Sequence, residues 1–184
     1  DLRGREAILQ VHAKNKPLAD DVDLKTIAKK VPGFTGADLA NLLNEAALLA
    51  ARQNKTIITM DDLEEASEKV SMGPERRSHI VTEKERRLTA FHESGHAIVG
   101  HLLPDCDPVH KVTIVPRGYA GGYTMSLPEE EQNYETKKQM LAHIRMALGG
   151  RVAEALTLKD ISSGASGDLQ TVTKIARNMV TRYG

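Results

Sequence analysis

Apolar residues recur at helical spacing through most of this chain, and the polar positions between them mark where helices start and stop. The strongest run is Leu39, Leu42, Leu43, Ala46 and Ala50, preceded by Thr35 and Asp38, a pair that resembles a capping box. Three further helices are predicted over residues 1–72. The first runs from about Leu2 to Lys14 with Asp1 as a cap, and the second runs from Asp23 to Lys30 and is stopped by Pro32-Gly33. The fourth starts at Thr59-Met60-Asp61-Asp62 and carries Leu63, Ala66 and Val70. Four short amphipathic helices make a small bundle.

Residues 73–81, Gly-Pro-Glu-Arg-Arg-Ser-His-Ile-Val, break the pattern and form the best domain boundary, with Arg76-Arg77 read as solvated linker charge. Thr82 and Glu85 then cap a long helix whose apolar positions, Leu88, Phe91, Ile98, Val99, Leu102 and Leu103, predict that it is largely buried. Pro104 to Pro108 is a turn-rich stop. Val109 to Val115 reads as a strand, residues 117–122 as a flexible connection, and Tyr123 to Leu127 as a second strand, giving a hairpin-like ribbon. Glu129 to Glu131 reads as a solvated acidic edge. A helix follows from about Tyr134 to Leu158, with Gly149-Gly150 as a point of bending or splitting. A last helix opens at Asp168 and carries Leu169, Val172, Ile175, Ala176, Met179 and Val180. The fold class is therefore mainly α: a four-helix bundle over residues 1–72, a linker over 73–81, and an α-rich α+β domain with a small β-hairpin over 82–184.

Composition narrows the options. The 184 residues carry no net charge, so no electrostatic attraction to nucleic acid is expected. Aromatic residues are 3% of the chain and Trp is absent, which leaves the core to Leu, Ile, Val, Ala and Met. Cys106 is the only cysteine, so neither an internal disulfide nor a cysteine-based zinc site can form, and a reducing compartment suits it. No apolar run approaches the roughly 20 residues of a membrane span, and no signal peptide is visible. Membrane attachment would have to come from sequence outside this chain. The chain starts on Asp1 and stops directly after a helical pattern, and is read as a fragment.

The candidate chemistry lies in the long central helix. His92-Glu93-Ser94-Gly95-His96 is an HExxH pattern. Residues four apart on a helix stack on one face, so two imidazoles can grip one metal ion, and Glu93 beside them can reach a water on it. That set suits a zinc hydrolase with Glu93 as general base. Such a site needs a third protein ligand and one open position. The pattern that ends in a third histidine would need Gly at position 99 and His at 102, where the chain has Val and Leu. His101 points elsewhere around the helix. Glu154, Asp160 and Asp168 compete by sequence alone. Asp168 is favoured because Ser162 to Gly167 is a small-residue loop that permits close backbone approach. A plain helix-capping aspartate is the competing reading.

Several segments carry a resemblance. Asp-Leu-Arg-Gly-Arg-Glu at the start, Val31 to Leu39 and Asn44 to Leu48 look like the helical lid of an AAA ATPase. Together with Phe91 to Ala97 and the Gly149-Gly-Arg-Val-Ala-Glu154 signature, they resemble FtsH-type ATP-dependent zinc metalloproteases, in order along the whole chain. The chain departs from that family at Gly121, where a larger apolar residue is usual. The resemblance implies that residues 1–72 are an AAA lid and residues 82–184 the start of a zincin-like peptidase domain. It implies one zinc per chain on His92, His96 and Asp168, with Glu93 as the base; Glu154 is the second choice for the third ligand and is read as a supporting partner. It implies that His12, Gly36 and Ala37 line an adenine pocket, with ATP and Mg²⁺ bound in the full-length protein. No phosphate-binding loop of the GxxxxGK[ST] type is present, so the ATPase core is expected upstream. The expected partners are unfolded polypeptides and five further copies in a homohexamer. The expected location is a membrane-anchored complex with this part facing the bacterial cytoplasm, or the matrix or stroma side of an organelle. The alternative is a non-enzymatic lid and interaction fragment with an inactive peptidase remnant.

Overall fold

Four helix starts are fixed by the same reciprocal contact. At Thr35/Asp38, Thr59/Asp62, Thr82/Glu85 and Thr136/Gln139 the threonine hydroxyl accepts from a main-chain N–H three residues on, and the acidic or amide side chain accepts from the threonine N–H. Each such cap contributes about 1 kcal/mol. The computed structural model describes residues 1–76, 80–118, 120–128, 132 and 134–184. The linker reading at Arg77 and the acidic edge at 129–131 lie outside the described residues.

The protein is mainly α, with two compact units, Asp1–Arg76 and Arg77–Gly184. The first holds α1 (Leu2–Ala13), α2 (Leu24–Lys30), α3 (Gly36–Arg52) and α4 (Met60–Met72). Its core is aliphatic: Leu9, Ile27, Leu39, Leu42, Leu43 and Leu63 are all fully buried. Burial of one such side chain is worth about 1.5–3 kcal/mol. The α3–α4 connection is pinned by Ile58, whose N–H donates to the Pro17 carbonyl at 2.8 Å and whose carbonyl accepts from Ala19 at 2.9 Å. Lys30 pairs with Glu64 at 2.6 Å, and the Arg5 guanidinium donates to the Ala28 carbonyl at 2.9 Å.

The second unit holds α5 (Glu83–Leu102), β1 (Val109–Thr113), β2 (Tyr123–Ser126), α6 (Lys137–Leu158) and α7 (Ser166–Thr181), with a short 3-10 turn at Ser163–Ala165. β1 and β2 form an antiparallel ribbon with Val112 opposite Thr124, and the register shifts between Val109 and Lys111. Its interior differs from that of the first unit. Met140, Ala142 and Ala165 are its buried hydrophobic residues among those described, whereas His92, Glu93, His96, Arg117 and Glu154 are buried polar ones.

Four expectations need correction here. The apolar flanks of α5 do not make its buried face. Ile98 is 59% and Leu102 71% exposed, and the residues turned inward are His92, Glu93, Gly95, His96 and Gly100. Gly149-Gly150 does not split α6, which starts at Lys137 rather than Tyr134 and runs unbroken to Leu158. The glycines serve contact instead. A Cβ on Gly95 would stand 2.3 Å from the Gly149 carbonyl oxygen, and one on Gly149 would stand 2.7 Å from the Gly95 oxygen. The two helices thus cross backbone to backbone. Finally, Asp168 is the third residue of α7 rather than its cap, leaving its carboxylate to make tertiary contacts. The strands also end earlier than predicted, with Ile114, Val115 and Leu127 outside the ladder.

Candidate metal centre

The helical period of α5 brings His92 and His96 together, with Nε2 atoms 3.0 Å apart. The other nitrogen of each ring is already engaged. His92 Nδ1 lies 2.6 Å from Glu154 Oε1, and His96 Nδ1 lies 2.8 Å from the Met146 carbonyl, both partners being on α6. A carbonyl and a carboxylate only accept, so both Nδ1 atoms carry the proton and both Nε2 atoms of the neutral rings present lone pairs. Asp168 adds a third donor atom: its Oδ2 lies 3.2 Å from His92 Nε2 and 3.5 Å from His96 Nε2.

These three edges test whether a metal fits. Zinc bonds of about 2.0–2.1 Å in a tetrahedron place neighbouring ligand atoms about 3.3–3.4 Å apart. The observed triangle of 3.0, 3.2 and 3.5 Å matches that spacing. Three lone pairs at such distances repel one another unless a cation or protons sit among them. The residues present therefore fit a zinc ion, and among the described residues His92, His96 and Asp168 form a cluster with ligand atoms within 4.8 Å of one another.

The electrostatics report the same convergence. Hydrogen bonding to Asp168, aided by Glu154, raises the His92 pKa above its ordinary value against the cost of burial. Burial acts to lower His96, yet contacts with Asp168 and the Met146 carbonyl outweigh it and the net shift is upward. Burial would raise Asp168, but the two imidazoles beside it hold its carboxyl far below the usual carboxylate range. Burial pushes Glu93 up, partly offset by the Thr124 hydroxyl and the two histidines.

The centre opens onto a cleft of about 640 Å³ lined by His92, Glu93, His96 and Asp168, by Gly121 to Thr124 of the ribbon, by His143 of α6, and by Ser163, Gly164, Ser166 and Gly167. Glu93 is buried at its wall, and the Thr124 hydroxyl donates to Oε2 at 2.8 Å. Gly150 is required beside the two imidazoles, because a Cβ there would lie 2.6 Å from His96 Nε2.

Glu154 stands behind His92 rather than among the donors: fully buried, it accepts from the Ser162 N–H at 2.7 Å through its other oxygen. Asp160 is exposed, and its carboxylate accepts from the Ile161 N–H at 2.8 Å. His101 sits exposed in the last turn of α5. His12, in the last turn of α1, and Gly36 and Ala37, the first residues of α3, are exposed on the first unit. Sequence reasoning missed Thr124, the Met146 carbonyl and the glycine contacts. Strand alternation over Tyr123 to Ser126 could have put Thr124 on one face, but not said which face meets α5.

Paired imidazoles and a carboxylate that present lone pairs to one point, beside a buried glutamate at an open cleft, are a donor set of the kind that hydrolytic zinc sites use. Residues 79–184 match Peptidase family M41, and residues 21–65 match the AAA+ lid domain. The chain belongs to peptidase family M41. Over all 184 residues it is 79% identical to the ATP-dependent zinc metalloprotease FtsH of Veillonella parvula, covering 29% of that protein. It is 61% identical to the ATP-dependent zinc metalloprotease FtsH of Caldicellulosiruptor bescii, covering 30% of it. It is 59% identical to the ATP-dependent zinc metalloprotease FtsH 1 of a Thermoanaerobacter species, again covering 30%. The chain thus spans about three tenths of the length of these relatives. No helix among the described residues is long and apolar enough to cross a membrane.

Proposed function

We propose that this chain is the AAA lid and zinc-peptidase portion of an ATP-dependent metalloendopeptidase that degrades unfolded and membrane proteins. The observation that carries the reading is the triangle of lone-pair donors from His92, His96 and Asp168 at tetrahedral spacing, with Glu93 at the same cleft. Residues 1–72 act as the lid, residues 73–81 as the linker and residues 82–184 as the peptidase part. The names of the relatives support the activity, and the lid match supports its coupling to an ATPase.

His92, His96 and Asp168 would hold the zinc. Zinc at such a site would supply Lewis-acid chemistry, lowering the pKa of a water to about 7 and polarising a carbonyl. Glu93 takes the proton from the attacking water and returns it to the leaving amine. Its burial raises its affinity for that proton, which suits a group that must both accept and release it. Glu154 orients His92 and fixes its tautomer. An extended peptide lies along β2, whose Tyr123 and Thr124 line the cleft, and is held by main-chain hydrogen bonds with little demand on sequence. His12, Gly36 and Ala37 contact adenine when the lid closes on an ATPase core. The working form is a membrane-anchored homohexamer with this part on the cytoplasmic, matrix or stroma side, and its anchor lies in other segments.

The test is Glu93→Gln in the full-length protein. Zinc content stays at one per chain and casein cleavage is abolished. Cleavage at the wild-type rate overturns the assignment of the base. Zinc content unchanged by His92→Ala overturns the metal site and favours the non-enzymatic alternative.

A further inference from the structure

The hydroxyl of Thr124 lies 2.8 Å from Glu93 Oε2 and 3.1 Å from the Glu93 main-chain carbonyl oxygen. Both neighbours accept, and a hydroxyl carries one proton, so Thr124 is the donor and the shorter contact is with the carboxylate. Its own lone pairs are not what Glu93 meets. The donor is carried by a strand whose position is independently fixed. Thr124 sits opposite Val112 in the ribbon, and the chain entering β2 lies so close to α5 that a Cβ on Gly122, just before the strand, would stand 2.7 Å from Thr89 Cγ2 and 3.3 Å from Glu93 Cγ. The same Cβ would stand 2.6 Å from the Thr113 carbonyl oxygen across the ribbon.

A glutamate side chain has several rotatable bonds, and a general base works only within hydrogen-bond reach of the proton it abstracts. Holding Oε2 on a rigid strand leaves Oε1 as the oxygen free to meet a water in the cleft. We propose that Thr124 is a positioning residue, aiming the Glu93 carboxylate by donating its hydroxyl proton to Oε2. This rests on Glu93 being the base. It predicts that β2 does more than line the cleft: the strand that borders the substrate also sets the orientation of the proton acceptor.

The experiment compares zinc-loaded full-length protein carrying Thr124→Val, Thr124→Ser or Glu93→Gln, reading kcat and KM on a peptide substrate, zinc per chain and melting temperature. Valine keeps the shape and loses the donor; serine keeps the donor. Misaiming a reacting group by an ångström costs about 100-fold, so Thr124→Val lowers kcat about 10–100-fold. Its KM, zinc content and melting temperature stay at wild-type values, and Thr124→Ser retains most of kcat. A kcat for Thr124→Val within twofold of wild type overturns the proposal. So does equal impairment of the valine and serine variants, or loss of zinc along with activity in the valine variant, because packing rather than hydrogen bonding would then be responsible. An inactive Glu93→Gln beside a normal Thr124→Val sinks this inference alone. An active Glu93→Gln sinks the reading of Glu93 beneath it.

Discussion

A methyl group added at Gly95 separates two physical arguments that point in opposite directions. Helix propensity says that Gly→Ala inside α5 should stabilise by about 1 kcal/mol. Packing says the reverse. The added Cβ would stand 2.3 Å from the Gly149 oxygen, 2.7 Å from Ala153 Cβ and 2.8 Å from the Gly149 carbonyl carbon. Two of these are backbone atoms, so no side chain can swing away. α5 and α6 must separate by about 0.7 Å or more to bring the closest approach to 3.0 Å. Overpacking of this kind costs roughly 1–3 kcal/mol and sometimes more. Because the crossing is between two main chains, the upper part of that range applies, and the net loss after propensity is about 1–2 kcal/mol. For a unit near 100 residues that lowers the melting temperature by about 5–15 °C. Gly150→Ala should behave differently. Its Cβ meets His96 Nε2 at 2.6 Å and His92 Cε1 at 2.7 Å, side-chain atoms that can shift, so the larger loss is in zinc affinity. Gly167→Ala is the control, with nothing within 4 Å of the added carbon. Calorimetry of the three variants, with zinc content, tests the series. A Gly95→Ala protein that melts at or above the wild-type temperature refutes the backbone crossing.

Two further outcomes follow from the centre. Glu154→Ala removes the acceptor for both His92 Nδ1 and the Ser162 N–H, and should weaken zinc binding about 10–100-fold in competition with a chromogenic chelator, whereas Asp160→Ala should leave it unchanged. In protein stripped of metal, His92 and His96 are raised above 6.5 on folding and Asp168 is depressed below 3.8. A raised histidine contributes stability that is complete below its unfolded pKa and disappears as pH climbs through its folded one; a depressed aspartate contributes above its unfolded pKa and loses that as pH falls. Glu93, raised by burial, adds to the loss on the rising side. The melting temperature of metal-free protein should therefore fall as pH rises above 6.5, and zinc, which competes with protons for the imidazoles, should reverse the slope. A metal-free melting temperature that climbs over that range contradicts the His–Asp pairing.

What could be read from the chain was local. Thr35/Asp38, Thr59/Asp62 and Thr82/Glu85 announce three helix starts because a capping box is complete within four residues. The Thr136/Gln139 box was equally visible and would have moved the start of α6 from Tyr134 to its observed place. The His92–His96 pair is likewise a consequence of one helical turn. The failures at the site share one cause, a partner distant in sequence. Gly149-Gly150 reads as a helix breaker when only propensity is considered, and as a seat for α5 once Gly95 lies against it. Ile98 and Leu102 look like core residues, but the inward face of α5 is occupied by the polar centre and glycines. Thr124 and the Met146 carbonyl reach the site from 31 and 50 positions away, and no spacing rule encodes that. Asp168 was reachable through the small-residue loop before it, though its place in the third position of α7 was not.

Glu154 holds the His92 ring with one oxygen and the entrance to the Ser162–Gly167 loop with the other. That loop is also part of the cleft wall and delivers Asp168. The position of the His92 ring and the contour of the groove are consequently welded at one carboxylate, so a change at Glu154 would be felt at both.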